Sequence, residues 1–146
     1  MRKLKFRGNM QHLPNTFIWN SQVQDKELDI QNIVNNAAYL QYFDRARIQH
    51  LLSKGVDWEE WHQNGFNLVL IHVDMAIQQS LKAHDKFYVK SSYEKSGRLK
   101  IIFEQTIYKK NDDTLIAKAT NTLACVSVHN GKPVMPEKLL TLLFHT

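Results

Sequence analysis

The sequence predicts an α+β domain in which an antiparallel sheet packs against one long helix. Three observations support this fold class. A stretch beginning near residue 35 repeats its apolar residues at helical spacing, and the segments after it alternate with period two between short turn sequences. A length of 146 residues suits one domain, residues 1–146. Strands joined by short turns pair antiparallel, and one long helix is available to cover one face of their sheet.

The first two elements are a strand and the long helix. The alternation in "TFIWNSQVQ" predicts a strand over Thr16 to Gln24, and the loop "DKELDIQNIV" follows it. The helix is expected from about Asn36 to Lys54, because Asn35 or Asn36 is a favoured N-cap and Gly55 is typical just past a helix end. The residues expected to face the core are Tyr39, Leu40, Phe43, Ala46 and Leu51.

After a tryptophan-rich segment, "VDWEEWHQNG", the chain is predicted to form further strands. The first, "FNLVLIHVDMAIQQ", is expected to place alternate residues on opposite faces of the sheet. Ser96-Gly97 and "NDDT" are expected as turns between the later strands, and "MPEKLLTLLFHT" as a short helix with Pro136 near its start. In that first strand one face would hold Val69, Ile71, Val73, Met75 and Ile77, and the other Leu68, Leu70, His72 and Asp74.

Composition leaves several classes of partner open. A net charge of +5 and a pI near 9.3 fit nucleic acid, an anionic membrane surface, a phosphate-bearing small molecule, or simply a basic soluble protein. The basic start "MRKLKFRGNMQHLP" lacks the apolar region of a secretory signal, and no apolar run is long enough for a membrane span. The single cysteine, Cys125, allows no internal disulfide and is expected to be buried. We therefore expect a cytoplasmic protein.

Several common catalytic motifs do not occur in the sequence. It contains no GxSxG elbow, Walker A loop, GxGxxG fingerprint or HExxH pair, and one cysteine cannot build a structural zinc site. We expect no metal and no cofactor. His72 is expected to be structural.

The stretch "LDIQNIVNNAAYLQYFDRAR" resembles the signature of hot-dog fold acyl-CoA thioesterases of the 4-hydroxybenzoyl-CoA thioesterase type, within which it is most similar to the long-chain acyl-CoA thioesterase branch. The signature Asp matches Asp29, and Val34, Asn35 and Asn36 match its Val-Asn-Asn. The resemblance continues through the His84-Asp85 turn and "TLACVSVHNGKPVMPEKL", so that it covers about Phe17 to Leu143.

Two positions of this stretch depart from the family pattern. Asn32 stands where many members have Gly, and Ile33 where many have His or Val. Asparagine tolerates the left-handed conformation, so the turn is expected to be preserved. Ile33 offers no side chain for catalysis.

The resemblance implies a hot-dog fold, with about five antiparallel strands wrapped around one long helix, and hydrolysis of a fatty or aromatic acyl-CoA. By the family register, the backbone N–H of Asn36 would be the oxyanion donor and Asp29 the general base or nucleophile, two routes the sequence does not separate. Asn35 is expected to cap the helix, contact the substrate, or both. The resemblance further implies a homodimer or homotetramer with active sites at the subunit interface. Residues considered for substrate binding are Tyr39, with core packing as its alternative, and Lys82, Lys86, Arg98 and Lys100, for which a solvated basic face is the alternative.

Elementary chemistry agrees with that implication. A helix N-terminus carries unsatisfied N–H groups and partial positive charge, which suit a developing oxyanion. A hot-dog dehydratase and a non-catalytic acyl-CoA-binding protein are rival interpretations; the dehydratase His-Phe-Pro segment does not occur. Nucleic-acid binding is a further rival, because "KFYVKSSYEKSGRLKIIFEQTIYKK" interleaves aromatic and basic residues. Half-exposed sheets produce the same pattern, so we expect no nucleic-acid partner.

Overall fold

The computed structural model describes residues 16–144, and the predicted α+β architecture is confirmed over that range. The basic N-terminal segment considered above lies outside the described residues. A single 3-10 turn, Asp25–Glu27, precedes the first helix. The elements in chain order are β1 Phe17–Gln22, α1 Asn36–Ser53, α2 Trp58–Gln63, β2 Phe66–Ile77, β3 Lys86–Ser96, β4 Lys100–Lys109, β5 Leu115–Ser127 and α3 Glu137–Phe144.

The five strands form one antiparallel sheet in the order β1-β3-β4-β5-β2. The hairpins at Ser96-Gly97 and at the "NDDT" turn join β3 to β4 and β4 to β5, as predicted. Strand β2, by contrast, does not pair with its successor β3, because residues 78–85 carry the chain across the sheet to β3, which lies beside the opposite edge strand β1. Over residues 16–144, strand β2 is thereby left as an edge strand with one side unpaired.

The predicted face assignment in β2 is wrong because the strand contains a β-bulge. Leu70 pairs with Leu123 and His72 with Thr122, so Ile71 is an extra residue opposite the β5 ladder. A bulge inserts one residue and reverses the alternation beyond it. Leu68 and Leu70 therefore share a face with the later apolar residues Val73, Met75 and Ile77, and not with His72 and Asp74.

Helix α1 packs against β1 and β3 and divides the core into two clusters. Around its first half, Tyr39, Tyr42 and Phe43 are fully buried against Phe87 and other sheet residues. Around its second half, Leu51 joins a cluster with residues of the strands, α2 and α3. The predicted core position of Leu40 is wrong, since 40% of this residue is exposed.

Local signals set the ends of α1. The Asn35 side chain accepts a hydrogen bond from the N–H of Ala37 at 2.8 Å, which makes Asn35 the N-cap. After the last helical residue, Ser53, the chain turns at Gly55 with φ +85°. The helix therefore begins and ends close to the predicted residues.

Cys125 is buried, as expected, and burial raises the pKa of its thiol to about 11. A thiol of this kind stays protonated near neutral pH and is a poor nucleophile. Over residues 16–144, no helix is both long enough and apolar enough to cross a membrane.

Candidate active site

Asp29 lies in a tight turn that closes a short hairpin before α1. Leu28 and Val34 form an isolated antiparallel bridge, and the N–H of Asp29 donates to the carbonyl of Ile33 at 2.8 Å. Asn32 closes the turn with φ 61°, the left-handed conformation expected where the family pattern has Gly. The substitution of Asn for Gly therefore preserves the turn.

The two oxygens of the Asp29 carboxylate have different surroundings. Oδ1 accepts from the N–H of Gln31 at 2.8 Å and from the N–H of Ile33 at 3.4 Å. Among the described residues, Oδ2 has no hydrogen-bond partner. The turn thus fixes the direction of the carboxylate through one oxygen, while the other remains available to a water molecule or a substrate carbon.

The hairpin folds back onto the N-terminus of α1. The carbonyl of Glu27, two residues before Asp29, accepts from the N–H of Asn35 at 2.9 Å. Asn36 is the first helical residue, and no residue in the range 16–144 accepts a hydrogen bond from its N–H. The chain therefore brings Asp29, Asn35 and Asn36 to the same end of the helix, with one backbone donor unsatisfied.

A second turn, between β2 and β3, borders this hairpin. Ile33 forms an isolated bridge with Lys82, and the N–H of Val34 donates to the carbonyl of Leu81 at 2.9 Å. The Lys82–Asp85 turn is closed by the Asp85 carboxylate, which accepts from the Lys82 N–H at 2.9 Å. The Lys82 side chain is exposed beside the Asp29 hairpin.

Tyr39 and Lys86 occupy different environments at this end of the fold. The Tyr39 side chain is fully buried, and its hydroxyl accepts from the N–H of Leu81 at 2.9 Å. Burial, followed by the charges of Asp29 and Asp85, raises its pKa above the ordinary value, although hydrogen bonds to Leu81 and Ser80 oppose the shift. Its contacts are those of a core residue that ties α1 to the β2–β3 connection. Lys86 is exposed at the first position of β3.

Arg98 and Lys100 lie at the opposite end of the sheet. The β3–β4 hairpin carries them, beyond Ser96, whereas the Asp29 hairpin adjoins the connection that leads into Lys86. The length of β3 separates these ends by about 33 Å, at roughly 3.3 Å for each residue step. Within one chain, these two cations and Asp29 do not line the same site.

Sequence reasoning missed a buried carboxylate beside the site. Glu27 is only 4% exposed, and its Oε1 accepts from the hydroxyl of Tyr42 at 2.7 Å. Charged residues are rarely buried without partners, so composition favours an exposed loop position for Glu27. The burial comes from packing of the loop against Tyr42, 15 residues further along the chain, and the local sequence gives no sign of it.

A fixed carboxylate beside a helix N-terminus with an unsatisfied N–H is an arrangement suited to hydrolysis of an activated carbonyl. Comparison with known proteins is consistent with that class. The profile of the thioesterase-like superfamily matches residues 23–143, and the chain belongs to that family. Its enzyme class is accordingly that of a thioester hydrolase.

Individual relatives cover most of the chain. It is similar to a putative esterase of Aquifex aeolicus, at 34% identity over 128 residues, covering 87% of this chain and 97% of the relative. It is also similar to an acyl-CoA thioesterase of Haemophilus influenzae, at 27% identity over 136 residues, covering 91% and 97%. A solved 1,4-dihydroxy-2-naphthoyl-CoA thioesterase from Synechocystis superposes with a TM-score of 0.82 at 19% identity, covering 88% of this chain and 95% of that chain. This superposition confirms the hot-dog fold.

Proposed function

We propose that the protein hydrolyses acyl-CoA thioesters to a free acid and coenzyme A. One observation carries the proposal. The Asp29 carboxylate, held by hydrogen bonds to one of its two oxygens, lies at the same end of α1 as the unsatisfied N–H of Asn36. In this scheme the substrate carbonyl lies at the helix N-terminus, and its oxygen accepts from the Asn36 N–H as negative charge develops.

Asp29 drives attack on that carbonyl by one of two routes. As a general base it takes a proton from a water molecule that adds to the carbonyl carbon, or as a nucleophile its oxygen adds directly and water releases the acid afterwards. The thiolate of coenzyme A is a good leaving group, since a thiol of pKa near 8.5 departs without a strong general acid. One carboxylate and one oxyanion donor therefore suffice.

The choice of coenzyme A as the carrier rests on the relatives and on the charge of the chain. Two of the similar proteins described above are CoA thioesterases by name. Lys82 and Lys86 are exposed beside the candidate site and are suited to pair with the phosphates of the nucleotide. Arg98 and Lys100, at the far end of β3, can take part only from a second subunit. The acyl group, fatty or aromatic, is left open by this proposal.

The proposal includes a homodimer joined through strand β2. This edge strand exposes a row of apolar residues, of which Ile71 is the most exposed at 47%. A long apolar edge strand favours pairing with another strand. Two β2 strands related by a twofold axis satisfy each other's free backbone groups and extend the sheet across both subunits.

The test of the activity is a panel of acyl-CoA substrates with short aliphatic, long aliphatic and aromatic acyl groups. Release of free thiol is measured by reaction with a chromogenic disulfide, which the buried Cys125 will not consume in the folded protein. The proposal predicts saturable turnover of at least one substrate class. Absence of thiol release above the buffer rate from the whole panel would contradict it.

A further inference from the structure

Glu27 is a buried carboxylate that the reaction described above does not use. It ends the 3-10 turn that follows β1 and lies two residues before Asp29. Its Oε1 accepts two hydrogen bonds, from the Tyr42 hydroxyl at 2.7 Å and from the N–H of Gln24 at 2.8 Å. Its Oε2 lies 3.4 Å from the guanidinium of Arg45, which is 43% exposed.

These partners join the start of the loop to the body of α1. Tyr42 and Arg45 lie more than one and a half helical turns after Asn36, since one turn takes about 3.6 residues. Burial, and after it the adjacent Glu27, raises the pKa of Tyr42 above its ordinary value. The Tyr42 hydroxyl therefore stays protonated and donates to the carboxylate throughout the neutral and mildly alkaline range.

The backbone of Glu27 makes a separate connection to the same helix. Its carbonyl accepts from the N–H of the N-cap Asn35 at 2.9 Å, and the next residue, Leu28, bridges to Val34. Glu27 is thus held by its side chain to the interior of α1 and by its backbone to the helix N-terminus. The hairpin that carries Asp29 begins immediately after these two attachments.

We propose that Glu27 is a positioning residue, which, with Tyr42 as its partner, sets the distance and direction between the Asp29 carboxylate and the Asn36 N–H. This inference rests on the proposed thioester hydrolysis. Glu27 touches no reacting atom; it acts by holding the hairpin against the helix. Displacement of a catalytic group by about 1 Å can lower a rate by about 10².

The test compares three variants that alter these attachments in different ways with one control variant that leaves them intact. Glu27→Leu replaces the carboxylate with an apolar side chain of similar size, and Tyr42→Phe removes only the hydroxyl. Glu27→Gln is the conservative variant, because its amide oxygen can accept from the same two donors. Tyr93→Phe is the control: it removes a buried tyrosine hydroxyl that donates to the Leu143 carbonyl, around the second half of α1.

We expect kcat for a thioester substrate to fall about tenfold or more in Glu27→Leu and Tyr42→Phe, with KM changed less than about threefold, because transition-state geometry is lost and binding is kept. Glu27→Gln should retain most of the wild-type kcat, and Tyr93→Phe should leave kcat unchanged. Amide hydrogen exchange of the peptide covering residues 28–36 should accelerate in the first two variants and not in the control.

The outcomes distinguish the positioning role of Glu27 from the proposed thioester hydrolysis. Folded Glu27→Leu and Tyr42→Phe enzymes with wild-type kcat, an effect confined to KM, or an equal loss in Tyr93→Phe would overturn the positioning role. If Glu27→Leu does not fold, Tyr42→Phe decides the question alone. An inactive wild-type enzyme overturns the proposed function itself, whereas a wild type that depends on Asp29 but not on Tyr42 overturns only the role of Glu27.

Discussion

Replacing Asn36 with proline removes one backbone N–H with little other change to the fold. Asn36 is exposed and occupies the first helical position, where proline is well tolerated because its missing N–H has no intrahelical acceptor. The preceding residue, Asn35, has φ −70° and ψ 151°, the extended region that a residue before proline prefers. Stability should therefore be unchanged, or rise by a few tenths of a kcal/mol to about 1 kcal/mol, through a less flexible unfolded chain.

The expected effect on catalysis is large. If the Asn36 N–H stabilises the oxyanion, its removal should lower kcat by about 10²–10³, equivalent to about 2.7–4 kcal/mol of transition-state stabilisation. KM should change much less, since the donor acts mainly when negative charge has developed. The matched control is Asn36→Ala, which keeps the N–H and should retain kcat within about threefold.

The assay is steady-state thiol release from the best acyl-CoA substrate, with thermal unfolding of each variant measured in parallel. A folded Asn36→Pro enzyme whose kcat equals that of Asn36→Ala would refute the oxyanion assignment. Equal losses in both variants would refute it as well, because they would place the effect in the side chain.

Three further predictions concern the turn, the core and the edge strand. Asn32→Gly should leave stability and kcat unchanged because glycine adopts φ 61° freely, whereas Asn32→Val should cost about 1–2 kcal/mol in chemical denaturation; equal stabilities would contradict the role of the left-handed turn. Burial raises the pKa of Tyr93 from 10.0 to about 12. The contribution of this raised pKa to the free energy of unfolding is therefore complete below pH 10 and is lost as pH rises to 12. Denaturant titrations at pH 9 and 12 should show Tyr93→Phe losing about 2–3 kcal/mol less than wild type, and parallel losses would argue against the shift. Ile71→Lys on β2 should convert the dimer to monomer in sedimentation velocity, while Ile18→Lys on β1, at a matched 48% exposure, should not; a monomeric wild type with full turnover would refute the dimer.

The sequence was informative where local chemistry decides the structure. Asn35 is a side-chain cap whose hydrogen bond depends only on its neighbours, and Asn32 is among the few residues that enter the left-handed region readily. The turns at Ser96-Gly97 and "NDDT" were predictable for the same reason. Asn32 and Asn35 lie in and just after the Asp29 hairpin, so the local shape of this hairpin was predictable, whereas the choice of Asp29 as the catalytic carboxylate came from the family resemblance and stays a prediction.

Other features depend on distant parts of the chain and could not be predicted from local pattern. The bulge at Ile71 arises from pairing with β5, so an alternating sequence gives no sign of it. Leu40 fits the helical apolar period but lies on a face of α1 that residues 16–144 leave partly exposed. The burial of Glu27 requires the loop to pack against Tyr42, a contact between residues 15 positions apart.

The most direct test of the catalytic role of Asp29 is the kcat of purified Asp29→Asn measured beside that of Asp25→Asn. The asparagine oxygen can still accept from Gln31 and Ile33, so the turn should survive while the carboxylate is lost. Asp25 is an exposed acid of the same loop and controls for the change in charge. We expect a loss of at least about 10² in kcat for Asp29→Asn, with Asp25→Asn close to wild type. Wild-type kcat in a folded Asp29→Asn enzyme would contradict the catalytic role of Asp29.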